Sequence, residues 1–496
     1  MKRIDPWTTL VPLGAILAVC IVFIAAPGTS AMVLTEIRAF LGGELGAYYL
    51  AVGLGVFVVS LWLAFSKVGT IRLGSPDEQP RYSFWTWGAM VFTCGLAADI
   101  LFYSLAEWVY YAQEPRIAEL GTLEDWAQAY SLFHWGPIPW SFYAVLAACF
   151  GFTLHVRGVR KRKYSEACRP ILGKQTDGAA GKLVDVLAVF ALIAGTATTF
   201  SVATPLLSAA VTSLLGVGDS KYLTIAILVT ICFAYTVAVL RGMRGVSWLA
   251  NACMALFGAL LIYVLLFGGQ MGFILKNGTA ALGRMAVNFL PFAVYHGSDF
   301  AQNWTVFYWA YWLVWCVASP FFMGAISRGR TVRQTILGSY GFGMSSTLVS
   351  FLVLGNYGLA LRSTGRFDAA AQFAETGDIY QAALGVLETL PAHEIAVALL
   401  IASMFAFYAT SFDSITLVAS AYSYRELRGG EEAGARMKLF WAILLILLPI
   451  ALLFSESSMN NLQTVSIIAA FPIALVILLI IASFIKDARR YLREVK

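Results

Sequence analysis

Trp304-Thr-Val-Phe-Tyr-Trp-Ala-Tyr-Trp312, with Trp315 one turn further on, lies inside an apolar run long enough to cross a bilayer. Its aromatic density exceeds what packing requires. A second cluster, Phe133-His134-Trp135-Gly-Pro-Ile-Pro-Trp140-Ser-Phe-Tyr143, occupies another such run. Indole and phenol faces attract cations through the ring quadrupole, most strongly where water is excluded. An interfacial aromatic belt would also be rich in Trp and Tyr, but both clusters run well past a helix end. Two clusters at membrane depth therefore point to a box for a quaternary ammonium group.

Working outward, hydrophobic residues make up 59% of the 496 residues and charged residues 12%, with a mean hydropathy of +0.74. That composition excludes a soluble domain. A span needs about 20 mostly apolar residues. Twelve candidates meet this: 8–28, 47–66, 84–111, 127–156, 183–215, 222–240, 246–274, 304–326, 334–361, 392–423, 437–455 and 461–485. The first is long for a cleaved leader and lacks a small-residue cleavage site. The basic residues test the count independently. With a cytoplasmic N-terminus, 27 of the 34 Lys and Arg fall on the inner side and 7 on the outer, with none inside a span. The positive-inside rule thus supports twelve spans with both termini cytoplasmic, in a bacterial-type inner membrane. The net charge of +6 reflects this topology and gives no reason to expect nucleic acid as a partner.

The seven cysteines show no CxxC pairing and read as small buried apolar residues. No HExxH metal pattern and no phosphate-binding GxxxxGK[ST] loop occurs. Neither an enzyme nor an ATP-driven pump is expected, and no cofactor beyond a coupling ion. Residues 1–496 form a single membrane domain: two peripheral helices over 8–66, a first repeat over 84–274, an interfacial segment over 276–303, and a second repeat over 304–485. Two spans look interrupted. Thr93-Cys-Gly95-Leu-Ala-Ala-Asp99 brings small residues and a carboxylate to mid-depth in 84–111, and Ala318-Ser319-Pro320 falls at the corresponding depth of 304–326. Paired interrupted spans are the sequence mark of inverted repeats with a site between them. Five spans follow from each start, 3 to 7 and 8 to 12.

These motifs resemble the betaine/choline/carnitine transporters. Trp304 to Trp312 followed by Ile326-Ser-Arg-Gly-Arg-Thr-Val-Arg333 looks like that family's signature, and Phe133-His-Trp-Gly-Pro-Ile-Pro-Trp140 matches it too. The resemblance covers essentially the whole chain. It implies an all-α fold of twelve transmembrane helices, a five-plus-five inverted repeat like that of the leucine transporter, and a homotrimer. Carried over, the central cage would use Trp135, Trp140 and Tyr143 of the fourth span with Trp312 of the eighth. Tyr311 stands where the family has the first Trp of a Trp-Trp pair. Trp315 would mark a more cytoplasmic waiting position, and Tyr110 a substrate-facing tyrosine of carnitine-type members.

Asp99 is the sharpest specificity clue, because an ionisable group at mid-membrane depth is costly. It looks like the Asp of choline-type members, where betaine-type members carry a glycine-rich stretch. Ionised, it would attract a cation such as choline and repel a carboxylate; it could instead carry a coupling proton, or simply be satisfied by hydroxyls. Phe407, Thr410 and Ser411 match the sodium-site segment of the tenth span, with Thr196, Thr198 and Thr199 a further hydroxyl group in the fifth. Such hydroxyls suit a hard cation, but also commonly bond their own helix. Sodium-independent carnitine/γ-butyrobetaine exchangers resemble this chain but have a Met in the eighth span, where it has Ser319, and an Arg in the seventh, at a position near Ala250, so neither substitute is present; yet Ala203-Thr-Pro-Leu206 and Ser483-Phe-Ile-Lys-Asp-Ala488 look closest to that branch. Glu107 and Asp413 read as structural acids. The expected function is cation-coupled (proton or sodium) uptake of choline, or of betaine or carnitine. A sodium-independent exchanger and an aromatic-lined cation channel are the alternatives.

Overall fold

The computed structural model describes residues 4–159, 161, 163–218, 220–241, 243–425, 427, 433–454 and 459–495, with side chains for all of these except 238–250, 413–414, 448 and 452–462. The side chains of Ala250 and Asp413 lie outside the described residues. Each of the twelve expected segments falls on a helix, with ends shifted by a few residues. Among the described residues, seven helices are long and apolar enough to cross a membrane, and three bent pairs raise that number to ten. Lys221–Arg241 and Ala435–Phe454 occupy the other two expected segments. Among the described residues, β pairing is confined to the isolated bridges Ile4 with Tyr424 and Arg72 with Thr331.

Both expected interruptions are present. The third span is Phe84–Thr93 and Ala98–Tyr111, meeting at 66°. Ser83 opens its first half by accepting from Thr86 N–H at 3.1 Å, a regular N-cap. Gly95 sits in the break because nothing larger fits: a Cβ there would lie 2.2 Å from Ser346 Oγ and 2.7 Å from the Trp140 ring. The eighth span is Ala301–Trp315 and Ser319–Ile326, bent by 55°. Pro320 stands in the first turn of the second half, where its missing N–H leaves no helical bond unmade.

The fourth span, Leu123–His155, breaks its hydrogen-bond ladder at Trp135-Gly136 before Pro137. The fifth, Ala179–Leu215, ends on Gly216 in the left-handed conformation, φ 63°. These two spans have 83% of their apolar window buried, against 33% for the first span, Pro6–Ala25. The core is therefore built on the fourth and fifth, while the first turns Ile21, Val22 and Ile24 outward, as a lipid-facing helix does. The ninth span is Val332–Ser363 and the tenth His393–Tyr422.

The helix that enters the segment expected at 276–303 starts at Met271. After the seventh span, the chain turns at Gly268-Gly269 and continues as Met271–Val287, bent by 114° from it. Gly269 takes φ 69°, which a side chain would strain. This helix is braced against the start of the fourth span and the end of the ninth. Asn277 donates to Glu124 O and Asn356 Oδ1, both at 2.8 Å, while Arg284 pairs with Asp125 and Arg362 with Glu124. In the segment between the fourth and fifth spans Arg169 forks onto Glu166 at 2.8 and 2.9 Å and onto Asp177 at 2.9 and 3.0 Å. The Arg169 guanidinium holds the Asp177 carboxyl down to about 2.

Candidate functional site

The fourth span's break and the eighth span's first half bring the four cage residues together. Trp312 is the common contact. Its ring centroid lies 5.6 Å from that of Trp135, 5.8 Å from Trp140 and 5.3 Å from Tyr143. Trp140 and Tyr143 are also 5.3 Å apart, and all four side chains are buried. Trp140 lies in a slot cut by glycine on two sides, since a Cβ at Gly343 would come 2.1 Å from its ring.

The rings are anchored unequally. Trp140 Nε1 donates to Thr347 Oγ1 at 3.1 Å, and Trp135 Nε1 donates to Glu107 Oε2 at 2.9 Å. Trp312 Nε1 is buried and has no hydrogen-bond partner among the described residues. Of the three indoles, two are thus pinned by a hydrogen bond, while Trp312 packs against the other rings. At these separations Trp312 is in contact with each of the other three rings.

Glu107 has a larger role than its position near a helix end suggested. It is fully buried and accepts from Tyr111 Oη at 2.6 Å, from Trp135 Nε1, and from Tyr308 Oη. A tyrosine has one proton, so Tyr111, which gives its own to Glu107, must receive one from His134 Nδ1 at 2.7 Å. The other ring nitrogen of His134 faces Thr305 Oγ1 at 3.0 Å. This carboxylate therefore ties the third, fourth and eighth spans together directly behind a cage wall.

Asp99 is 2% exposed, in the first turn of the half-helix Ala98–Tyr111, where the helix dipole favours an anion. Tyr311 Oη donates to its Oδ2 at 2.5 Å, and Thr199 Oγ1 bonds the same phenol. Tyr311 stacks on Phe307 at 5.4 Å and makes no ring contact with the four cage residues. Trp315 lies beyond it, 6.5 Å from Tyr311 and against Gly195 of the fifth span. Tyr110 is at the outer end, 5.5 Å from Trp304 and 5.3 Å from Phe373, apart from the cage.

The candidate sodium ligands are only partly assembled. Ser411 Oγ reaches the third-span break, donating to Leu96 O at 3.3 Å. Thr410 instead bonds Ala406 O and Phe407 O of its own helix, both at 3.0 Å, on the side of Cys253. Phe407 packs on Phe257 of the seventh span. The fifth-span threonines point three ways: Thr196 to Leu192 O, Thr198 to Ser466 of the twelfth span, and Thr199 to Tyr311.

Residues 7–493 match the sequence pattern of BCCT, the betaine/carnitine/choline family transporters. The chain belongs to this family. The glycine betaine transporter OpuD of Bacillus subtilis is 29% identical over 95% of this chain and 92% of its own length. The high-affinity choline transport protein of Escherichia coli is 28% identical over 98% and 72%. The carnitine transporter of Acinetobacter baumannii is 27% identical over 85% and 78%. A solved Na+-coupled sialic acid symporter aligns over 82% of this chain and 79% of its own, at TM-score 0.45 and 14% identity; that likeness is too slight to add to the argument. As a BCCT member the chain is a multi-pass membrane transporter, and its cage, Glu107 hub and Asp99 pair all lie on the spans that break.

Proposed function

We propose that this BCCT protein is an alternating-access carrier for a small quaternary ammonium compound, with choline its preferred substrate and an ion gradient its driving force. The observation that carries the reading is the convergence of Trp135, Trp140 and Tyr143 on Trp312, with a buried carboxylate on the residue next to Trp312. The pinned indoles form the fixed side of the cage and Trp312 the wall that yields. Breaks of 66° and 55° in the third and eighth spans support two inverted repeats, 84–274 and 304–485, that rock about the site. The coupling ion is a proton on Asp99, or a sodium ion held by Ser411 and the carbonyls of the break. Among the family's substrates, choline suits an anionic Asp99 best, since betaine and carnitine carry a carboxylate that it repels. Family resemblance adds a homotrimer in the inner membrane with both termini cytoplasmic.

The test is uptake of labelled choline, betaine and carnitine into proteoliposomes under imposed proton or sodium gradients, with counterflow from preloaded vesicles. Choline uptake lost in Trp312→Ala, and proton drive lost in Asp99→Asn, support the cage and the proton arm. Sodium drive that survives Asp99→Asn assigns coupling to the Ser411 region. Uptake unchanged in Trp312→Ala would overturn the cage.

A further inference from the structure

Pro139 leaves one backbone group at the fourth-span break without its helical partner. In a regular helix the Trp135 carbonyl accepts from the N–H four residues on, and proline has none. A buried carbonyl left unpaired is costly. The ninth span meets it. Thr347 Oγ1 donates to Trp135 O at 2.8 Å, sharing its proton with Met344 O of its own helix at 2.9 Å. The same oxygen accepts the Trp140 indole N–H at 3.1 Å. One fully buried hydroxyl thus holds the main chain at Trp135 and the side chain of Trp140, on either side of the break.

Thr347 belongs to a continuous face of its span. Gly343 lies against the Trp140 ring, which would come 2.1 Å from a Cβ placed there, and the Phe351 ring lies 5.1 Å from that of Trp135. The turn that carries Thr347, Ser345–Ser350, is α-helical, while the segments on both sides, Ser339–Met344 and Phe351–Gly355, are π-helical. Such π-helical turns are rare inside α-helices and are frequent at functional sites. Gln128 of the fourth span bonds the second of them, donating to Phe351 O at 2.7 Å. A residue at 347 must both donate and accept to serve the two tryptophans. Valine would fill the same volume and do neither.

We infer that Thr347 is a positioning residue for the cage: its hydroxyl sets the two pinned indoles relative to each other and so makes cation affinity depend on the ninth span. This rests on the quaternary ammonium reading above and adds to it a residue outside the four rings and outside the third and eighth spans. Glu107 bonds the Trp135 indole, whereas Thr347 fixes where the Trp135 backbone and the Trp140 ring stand across the break. It acts on walls that face the cationic head, so its loss should weaken ligands with that head alike, whatever tail they carry.

The experiment measures binding of labelled choline, betaine and carnitine to the full chain in proteoliposomes, together with uptake kinetics. Thr347→Val should weaken binding about 10-fold for each compound that binds the wild type, and raise KM while kcat stays within about threefold. Thr347→Ser, which keeps the hydroxyl, should bind within about threefold of wild type. In a Trp140→Phe background, whose ring has no N–H to offer, adding Thr347→Val should cost at most about threefold more. Ser339→Ala removes an equally buried hydroxyl of the same span, one bonded to Thr335 O of its own helix, and should leave binding within about twofold. Thr347→Ala loses the same bonds as the Val variant and serves if that variant does not fold. Unchanged binding in Thr347→Val or Thr347→Ala, a Ser variant as weak as Val, the full loss in the Trp140→Phe background, or an equal loss in Ser339→Ala would each overturn the assignment. If none of the three compounds binds the wild type, the quaternary ammonium reading itself fails; if they bind and Thr347→Val binds them equally well, only the role of Thr347 does.

Discussion

Replacing Glu107 by glutamine keeps the shape of the side chain and changes its hydrogen-bond arithmetic. The carboxylate serves three donors: the hydroxyls of Tyr111 and Tyr308 and the indole of Trp135. A carboxylate has about four acceptor positions on two oxygens, whereas an amide has one oxygen and an NH2 that only donates. At most two of the three donors can then be met, and the NH2 faces a third it cannot accept from. Losing one hydrogen bond to a charged acceptor in a fully buried site costs about 2 to 3 kcal/mol, or roughly 30- to 150-fold in an equilibrium constant. Much of that should appear in the cage, because Trp135 loses the bond that pins it. Glu107→Gln is therefore expected to raise the KM for the preferred substrate by about 30-fold or more in proteoliposomes and to lower the melting temperature in detergent. Trp135→Phe removes the indole donor and part of the cage ring together, leaves Glu107 its two phenol donors, and should also weaken binding. A KM within twofold of wild type in Glu107→Gln would refute the argument that this carboxylate holds the cage wall.

Three further outcomes can be checked. Ser411→Ala should raise the sodium concentration for half-maximal uptake about 10-fold, and Thr410→Ala should change it less than threefold, since Ser411 donates to Leu96 O at the third-span break while Thr410 donates to Ala406 O and Phe407 O of its own helix; the reverse order would remove Ser411 from the ion path. Gly343→Ala would set a methyl 2.1 Å from the Trp140 ring and should destabilise by about 1–3 kcal/mol through overpacking, read as a fall in melting temperature, whereas a Cβ at Gly341 meets nothing within 4 Å and Gly341→Ala should be neutral or slightly stabilising. The Asp177 carboxyl, held down to about 2 by Arg169, contributes its stabilisation above the ordinary carboxylate range. Hydrogen-exchange protection of residues 164–178 should thus stay level from pH 7 to about 4 and fall between about pH 4 and pH 2; a loss already complete at pH 5 would point to another group.

The run of apolar helices was legible because its signals are local. Apolar length is a property of each segment alone, and Gly95 and Pro320 mark the breaks where they stand. The identity of the cage rings was legible for the same reason, from two dense runs and their resemblance to a family signature. What was not legible depends on partners far along the chain. Glu107 looks like a lone acid near a helix end, yet two of its three donors come from 28 and 201 residues away. Tyr311 read as a weakened cage residue, but its hydroxyl meets Asp99 from 212 residues away and its ring turns from the cage. Thr410 and Ser411 are neighbours in sequence, and only the 100° step between them on the helix sends one to its own backbone and the other to the break. No sequence pattern separates those two fates.

The braces on the helix Met271–Val287 bear on where motion is allowed. Asn277 spans from the fourth span's first turn to Asn356 of the ninth, and Arg284 and Arg362 clamp neighbouring acids of the same turn. One helix from each half of the chain is thus riveted to a common crosspiece at one end. A lever fixed at one end has its largest excursion at the other. The fulcrum of a rocking cycle would then lie at the crosspiece, and the wide swing would fall to the opposite ends of the same helices. Severing Asn277 from its partners would move that fulcrum without touching a residue that meets the substrate.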